Sequence, residues 1–409
     1  MRAWRKTAAV LCAFALLALS ACAYRGYELM PETTLPIETQ IPFIITDLPI
    51  MPDEIEFTYW LTVPPKEETS TAGSDAVITY PIPGSTAAEP TAAPQAPTTA
   101  QTAAPQAPPQ GARLSRGIAI APRMIAEVYR YLGEHPWATS IGYAQQPHVG
   151  APYALGCLDA ATRQGAVNHV NCIRYIAGLP EVAWDTAKEE AAQAGAVILA
   201  RTRVLTHTPA RPDDMSRELY QMAYNACKSS NIANAGRPNT LHNAITMFLD
   251  DSDPTNIDEL AHRRWMLNPA MGKTAFGLAD TYCAMTAVDQ SAPRNAAYDV
   301  VLYPAQVQPV SFFGADWAWT VSFAQGFNIN GAVKVVLVRR GDSRGWELTS
   351  RQGRDGILIR STHGYGQPNC LIFRPNGFSV AAGDVIDVQI EGVTRGGQAH
   401  LVQYTVQFV

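Results

Sequence analysis

From Tyr24 to about Pro109 the chain is so rich in proline, threonine and alanine that no packed core can be built from it, and the heptapeptide Thr91-Ala-Ala-Pro-Gln-Ala-Pro97 recurs at Thr102 to Pro108. Such a composition cannot bury enough apolar surface to offset the entropy of ordering the chain. The segment reads as a semi-extended, disordered spacer whose Thr and Ser residues could carry sugars. No aromatic or basic residue lies within or beside the Pro repeats, which weakens the alternative of a Pro-rich docking ligand. Residues Phe43 to Val63 are more apolar and are expected to order transiently. Folding is thereby confined to residues 113 onward.

Ahead of the spacer lies a short export signature. Arg2, Arg5 and Lys6 are followed by an apolar run from Ala8 to Leu19, too short to span a bilayer. It ends in Leu19-Ser20-Ala21-Cys22, which resembles the bacterial lipobox: a branched apolar residue and two small residues ahead of the cysteine that takes the lipid. The expected organisation is a signal peptide over 1–21 and a lipid-anchored linker over 22–112, with Cys22 as the lipidation site. The folded part is then extracytoplasmic, anchored through Cys22 to the outer face of the cell-envelope membrane. No second apolar run of about 20 residues follows, so no transmembrane helix is expected in the mature protein.

Composition narrows the function classes. A net charge of -5, with no block of Lys or Arg after the signal segment, lacks the electrostatic footprint that a phosphate backbone requires, so no nucleic-acid partner is expected. Cys157, Cys172, Cys227, Cys283 and Cys370 remain after Cys12 and Cys22 are set aside. An oxidising exterior permits disulfides, yet an odd count leaves one thiol over, and the absence of a CxxC pair argues against a thiolate zinc site. Cys157 falls just before and Cys172 towards the end of one predicted helix, which would hold them about 22 Å apart at 1.5 Å per residue and argues against a bridge between them. A Cys227–Cys283 bridge stays open.

The remaining length suits two domains, one over 113–296 with a helical N-terminal extension and one over 297–409. Leu158 to Ala177 places Ala166, Val170, Ile173 and Ala177 on one stripe, and Gly178 stops it. Asp185 caps a second helix whose Ala187, Ala191, Ala194 and Ile198 form a small-residue face suited to close packing. Leu241 to Leu249 and Ile257 to Leu267 are further helices, the latter ended by Asn268-Pro269, and Ala275 to Val288 reads as a strand. After about Ala297 the texture changes to short alternating runs: Val307 to Phe313, Trp319 to Phe323, Ala332 to Arg339, Gly356 to Ile359, Cys370 to Phe373, Val385 to Ile390 and Leu401 to Val409. Turn residues separate them, which is the pattern of an antiparallel β-sandwich. Val333 to Val338 and Val385 to Ile390, the most apolar runs, are expected to be central.

Four local patterns in the helical part stand in a telling order. They are Asn171-Cys-Ile-Arg174 followed by Gly178-Leu-Pro-Glu-Val-Ala-Trp184-Asp185, Leu205-Thr-His207-Thr-Pro209, Ser230-Asn231-Ile-Ala233, and Ala261-His262-Arg-Arg264-Trp265-Met-Leu267-Asn268-Pro269 leading to Phe276-Gly277. Over about Leu158 to Asp289 this order resembles the CAP superfamily (cysteine-rich secretory, antigen 5 and pathogenesis-related proteins), in particular its bacterial SCP-like extracellular branch. The resemblance implies an α+β fold: a three-layer α-β-α sandwich with a surface cleft, here followed by the C-terminal antiparallel β-sandwich. It also implies that two histidines and two carboxylates converge on the cleft floor.

His207 and His262 match the two histidine positions. The chain departs from the family at Ser230, where many relatives have Glu before the Asn, so a hydroxyl stands in place of a negative charge. Asp250, Asp251 or Glu259 could supply the other carboxylate. The candidate cleft is therefore His207, His262, Ser230, Asn231, Asp251 and Glu259, with His207 and His262 as candidate ligands for a divalent metal such as zinc. Two imidazoles alone are a poor zinc cage, which wants four ligands. Asn231 is expected to hold a turn, and Arg263, Arg264 and Trp265 to pack and pair, since Arg has no neutral form to act as a base. Ser230 as a nucleophile would need an adjacent imidazole, and no GxSxG or SxxK motif supports it.

These residues leave three function classes, one of them, beside the two that follow, a purely structural envelope protein whose CAP-like part is a spacer. The first is a surface-displayed, non-enzymatic binding module for a small lipidic or peptidic ligand or an envelope partner, favoured by the incomplete catalytic set. The second is a divalent-metal-dependent hydrolase of peptide or envelope polymer using His207 and His262. Trp317, Trp319 and Trp346 would suit glycan stacking if they were exposed on the sandwich.

Overall fold

The computed structural model describes residues 123–137, 140–238, 240–292 and 298–409. Cys22, the signal segment and the repeat-bearing linker lie outside the described residues. In chain order the elements are α1 (Ile125–Glu134), β1 (Tyr143–Gln145), β2 (Cys157–Leu158), α2 (Ala160–Ile176), β3 (Ala183–Trp184), α3 (Glu189–Thr202), α4 (Arg217–Lys228), β4 (Ser230–Asn234), α5 (Thr240–Asp250), α6 (Ala261–Met266), β5 (Lys273–Thr274), β6 (Phe276–Ala279) and β7 (Tyr282–Thr286). Next come β8 (Val300–Tyr303), β9 (Val307–Gln308), a 3-10 turn (Val310–Phe312), β10 (Trp319–Phe323), β11 (Phe327–Asn328), β12 (Lys334–Arg339), β13 (Gly345–Leu348), β14 (Gly356–Ser361), β15 (Asn369–Pro375), β16 (Val385–Arg395) and β17 (Gln398–Phe408).

The first half is a three-layer α-β-α arrangement. Its middle layer is an antiparallel sheet in the order β4-β7-β6. Side chains alternate across a strand, and here the alternation sorts the two helical layers. Ile232, Ala279 and Ala284 face the cluster containing Ala194, Ile198, Ala223 and Cys227 of α3 and α4. Ala233, Leu278, Cys283 and Met285 face the cluster containing Val170, Ile173, Ile245 and Phe248 of α2 and α5. Helix α3 comes so close to β6 that a Cβ on Gly277 would stand 2.1 Å from the Ala192 carbonyl oxygen.

Local signals set the helix ends. The Asp159 side chain caps α2 by accepting from Thr162 N at 2.7 Å. Past its end Gly178 takes φ 75°, where glycine carries no Cβ penalty. Asp185 accepts from Ala187 N and holds the turn ahead of α3, which begins only at Glu189. Three expectations need correction. The strand expected over Ala275 to Val288 is a hairpin, β6 and β7, reversed at Asp280 with φ 55°. The helix expected from Ile257 starts at Ala261, because Leu260 sits at φ 45°, outside the right-handed region. Helix α4, capped by Ser216 accepting from Leu219 N at 3.2 Å, was not anticipated.

The second half has two antiparallel-dominated sheets, β14-β15-β10-β8 and β13-β12-β16-β17-β9, with β11 pairing β16. Strands β12 and β16 are internal, as their apolarity predicts. The run from Val307 to Phe313 is broken: β9 ends at Gln308, and Pro309, which cannot donate to a ladder, opens the 3-10 turn. Strands β8 and β13 were not anticipated. Trp319, Val321, Phe323 and Phe373 meet Val335, Leu337, Val388, Val406 and Phe408 between the sheets. The opposite face of the four-stranded sheet is buried too: Cys370 and Ile372 pack with Ala318 against Ile257 and Leu260, just ahead of α6. Trp319 and Trp346 are 0% and 3% exposed and belong to the core, and Trp317 packs on Phe313, so the sandwich tryptophans do not form a glycan platform.

All five cysteines of the described part are buried and none forms a disulfide. Cys227 and Cys283 face opposite helical layers, the first in the α3/α4 cluster and the second in the α2/α5 cluster. Burial pushes the Cys227 thiol up to about 12.

Candidate functional site

Several motif residues turn out to hold backbone together. Asn171 accepts from Val182 N at 2.8 Å and donates to Val182 O at 3.0 Å, pinning the loop after α2. Arg174, fully buried, donates to the carbonyls of Pro180, Met266, Asn268 and Met271 at 2.8–3.0 Å. A guanidinium carries five donors in a rigid fork, so one side chain can satisfy several loop carbonyls that helix ends and turns leave unpaired.

The two histidines of the cleft are brought together. His207 lies in the loop after α3, which leaves its helix through Arg203 at φ 56°. His262 is the second residue of α6. Their ring centroids are 6.5 Å apart with planes inclined by 24°. His262 is buried and His207 half-buried. Each ring is oriented through Nδ1: that of His207 bonds the Cys227 carbonyl at 2.6 Å, and that of His262 bonds Asp251 Oδ1 at 2.7 Å. Phe248 covers His262 at 5.5 Å.

Asp251 carries most of the electrostatics. Its side chain is wholly buried, and its Oδ2 accepts from His262 N at 2.9 Å and from Arg263 N at 3.4 Å while Oδ1 serves the ring. Burial alone would lower the His262 pKa, but the charge and hydrogen bond of Asp251 outweigh it and hold the imidazole above its ordinary value. His207 is pushed the other way, down to about 4, by burial, against the Cys227 carbonyl and with help from His262. At neutral pH the pair thus sets a neutral ring beside one biased towards its charged form.

The other candidates separate. Asn231, 1% exposed, donates through Nδ2 to the His262 carbonyl at 2.9 Å, so it ties β4 to α6 rather than shaping a turn. Ser230 is 4% exposed and its Oγ is a buried hydroxyl without a hydrogen-bond partner; it alternates with Asn231 and so shares the sheet face of Ile232. Glu259 is not a cleft residue: its carboxylate accepts from Ser361, pairs with His363 Nδ1 at 2.7 Å and lies 3.5 Å from Arg264, all towards the sandwich. Asp251 is beneath the rings and both its oxygens are engaged, so it orients His262 rather than offering a further ligand. Among the described residues no three His, Cys, Asp or Glu side chains converge as a metal site would need. The present donors do not fit zinc.

Ser252 and Ala318 carry no motif of their own, yet together with Arg263 they build the support behind Asp251. The nearest signal is the pair of arginines directly after His262. Helical side chains at successive positions point about 100° apart, so a motif that aims His262 at the cleft must aim Arg263 elsewhere.

Residues 167–287 match the family model described as "CAP: Cysteine-rich secretory protein family". No curated protein and no solved structure matches the chain. The match covers both histidines, the Asp251 turn, the β4-β7-β6 sheet and all helices from α3 to α6, and within those limits the chain carries a CAP superfamily domain.

Proposed function

We propose that this protein is a CAP-domain binding module displayed on the outer face of the cell envelope, held there by a lipid on Cys22 and the Pro/Thr/Ala-rich linker that follows it. Its cleft takes a small lipidic or peptidic ligand or an envelope partner. The anchor rests on the basic start, the short apolar run and the Leu19-Ser-Ala-Cys22 end. A linker of about 90 residues gives the domain a reach of tens of ångströms from the membrane. The observation that carries the binding reading is the His207–His262 stack: a half-buried, neutral imidazole over a buried basic one, with Asp251 fully engaged behind it. Such a wall sets two imidazoles of unequal basicity side by side, one of them half-buried, which suits a ligand with both apolar and polar character.

The test is native mass spectrometry and elemental analysis of the protein purified from its own host. A co-purified organic ligand that is lost in His207→Ala supports the binding module. Clean protein that turns over peptide or envelope polymer, with activity lost in the same variant, overturns it. Labelled fatty acid should enter the wild-type protein and not Cys22→Ala; labelling of both, or of neither, sinks the anchor.

The Asp251–His262 contact favours a second reading, hydrolysis, because a buried carboxylate on Nδ1 is how a general-base imidazole is oriented. Since the donors present do not amount to a zinc site, this reading rests on the imidazole itself.

A further inference from the structure

Asp251 adopts φ 49°, a left-handed conformation that an aspartate keeps only where its surroundings hold it. The residues that hold it come from the other half of the molecule. Ser252 Oγ accepts from the Ala318 backbone N–H at 2.8 Å. The Ala318 carbonyl accepts from Arg263, whose guanidinium also donates to Leu249 O and Asp250 O, the latter at 2.6 Å. Ala318 is fully buried at the start of β10, and Arg263, also fully buried, lies over the Tyr303 ring of β8 at 5.4 Å. The two polar groups of one sandwich residue thus bracket the turn from Leu249 to Ser252 on both sides of Asp251.

At this seam Ile257 and Leu260 pack against Ala318, Cys370 and Ile372, and the directional bonds add register to that packing. A half-open pocket of about 270 Å³, lined among others by Ser252, Ile257, Arg351 and Arg374, borders it.

We infer that the sandwich is a working part of the imidazole site: Ala318, acting through Ser252 and Arg263, holds the Asp251 backbone so that its carboxylate meets both the ring and the backbone N–H of His262. Ser252, Arg263 and Ala318 are positioning residues, since none of them touches the cleft rings. The inference rests on the proposed reading of His207 and His262 as the working cleft. It explains why one short helix carries His262 and Arg263 side by side: the first serves the cleft and the second ties the cleft's orienting carboxylate to the sandwich.

The test uses the full-length protein with ¹⁵N-labelled histidine. In the wild type, His262 Nδ1 should carry a slowly exchanging proton and the His262 backbone amide should be protected. In Ser252→Ala the Nδ1 proton and the amide should both exchange about tenfold faster, with the His169 signals unmoved, because opening is confined to this turn. Ser252→Thr, which keeps the hydroxyl, should restore the wild-type pattern. Unchanged His262 exchange in Ser252→Ala would overturn the inference; if Arg263→Lys does not fold, the Ala/Thr pair at Ser252 still decides. Should His262 respond while ligand capture does not, the relay stands and the binding reading fails. Should neither respond, the relay itself fails.

Discussion

His207 and His262 stack with ring centroids 6.5 Å apart, whereas His169 of α2 and His242 of α5 touch directly, Nδ1 to Nδ1 at 3.2 Å. Trp137 stacks on His169 at 4.3 Å and Phe312 meets it edge-on. A contact between two imidazole nitrogens needs one donor and one acceptor, so at least one of the two rings is neutral. Burial, reinforced by His242, holds His169 well below the ordinary histidine value. In the cleft pair the same burial acts, yet Asp251 reverses its effect on His262 alone. The difference teaches that depth makes a buried imidazole neutral, and that a carboxylate in hydrogen-bond contact makes it basic. That carboxylate arrives only because one aspartate is held left-handed.

The comparison breaks most severely at Asp251. Replacing it by alanine leaves the His262 ring and two backbone N–H groups without their acceptor, and urea unfolding at pH 6 should show a loss of about 3 kcal/mol. A loss under 1 kcal/mol would mean that the carboxylate is dispensable.

The next effect is on acid stability. For His169 and His207 the folded pKa is lowered, so the unfolded chain takes up protons first. Their contributions are complete above about pH 6.5 and decline as the pH falls, that of His207 down to about 4. For His262 the folded pKa is raised, so its contribution is complete below about pH 6.5 and disappears as the pH rises through the folded value. Between pH 6.5 and 5 the His262 contribution is already complete and constant, so the two lowered groups set the slope and stability should drop by about 2–3 kcal/mol. In Asp251→Asn burial acts on His262 without the carboxylate charge, so His262 joins the lowered groups and the slope should steepen; a shallower slope would reverse the assignment.

A smaller effect isolates the second pair. His169→Phe combined with His242→Phe keeps the aromatic packing with Trp137 and removes the lowered group His169, which should flatten the acid slope by about 1 kcal/mol. Calorimetry across the same pH range would read it, and an unchanged slope would place the acid sensitivity in the cleft. The smallest effect is at Ser230. Removing a buried hydroxyl that makes no hydrogen bond is expected to be neutral or to stabilise by about 0.5 kcal/mol, visible as a small rise in Tm for Ser230→Ala. A fall in Tm would reveal a partner for that hydroxyl.

Much of the fold was legible because local chemistry decided it. Gly178 ends α2 through its φ, and the apolarity of β12 and β16 places them inside their sheet, whereas Pro309 breaks the run expected from Val307 to Phe313. Helix α4 carries local signals too, a Ser216 cap and Leu219, Met222, Ala223, Ala226 and Cys227 at helical spacing, although no motif singles it out. At the site, residue types and order pointed to His207 and His262, and the pairing of Arg264 was anticipated. Asp251 and Glu259 stood as equals by spacing, and the structure separates them by sending Glu259 to Ser361 and His363.

The sequence by itself determined helices ended by local signals and a β-sandwich after about Ala297, through periodicity and short-range stereochemistry, which act within a few residues. That His207 and His262 would meet came from the CAP-like order of motifs and what that resemblance implies, not from any local rule. Only the tertiary structure decided which carboxylate serves His262, where Arg263 and Arg264 go, and that the sandwich braces the cleft. Each of these depends on contacts between residues about 50 to 100 positions apart, such as Arg263 with Ala318 and Arg264 with Ser361. No local preference encodes them, because both partners must first be brought together by the burial of the apolar faces between them.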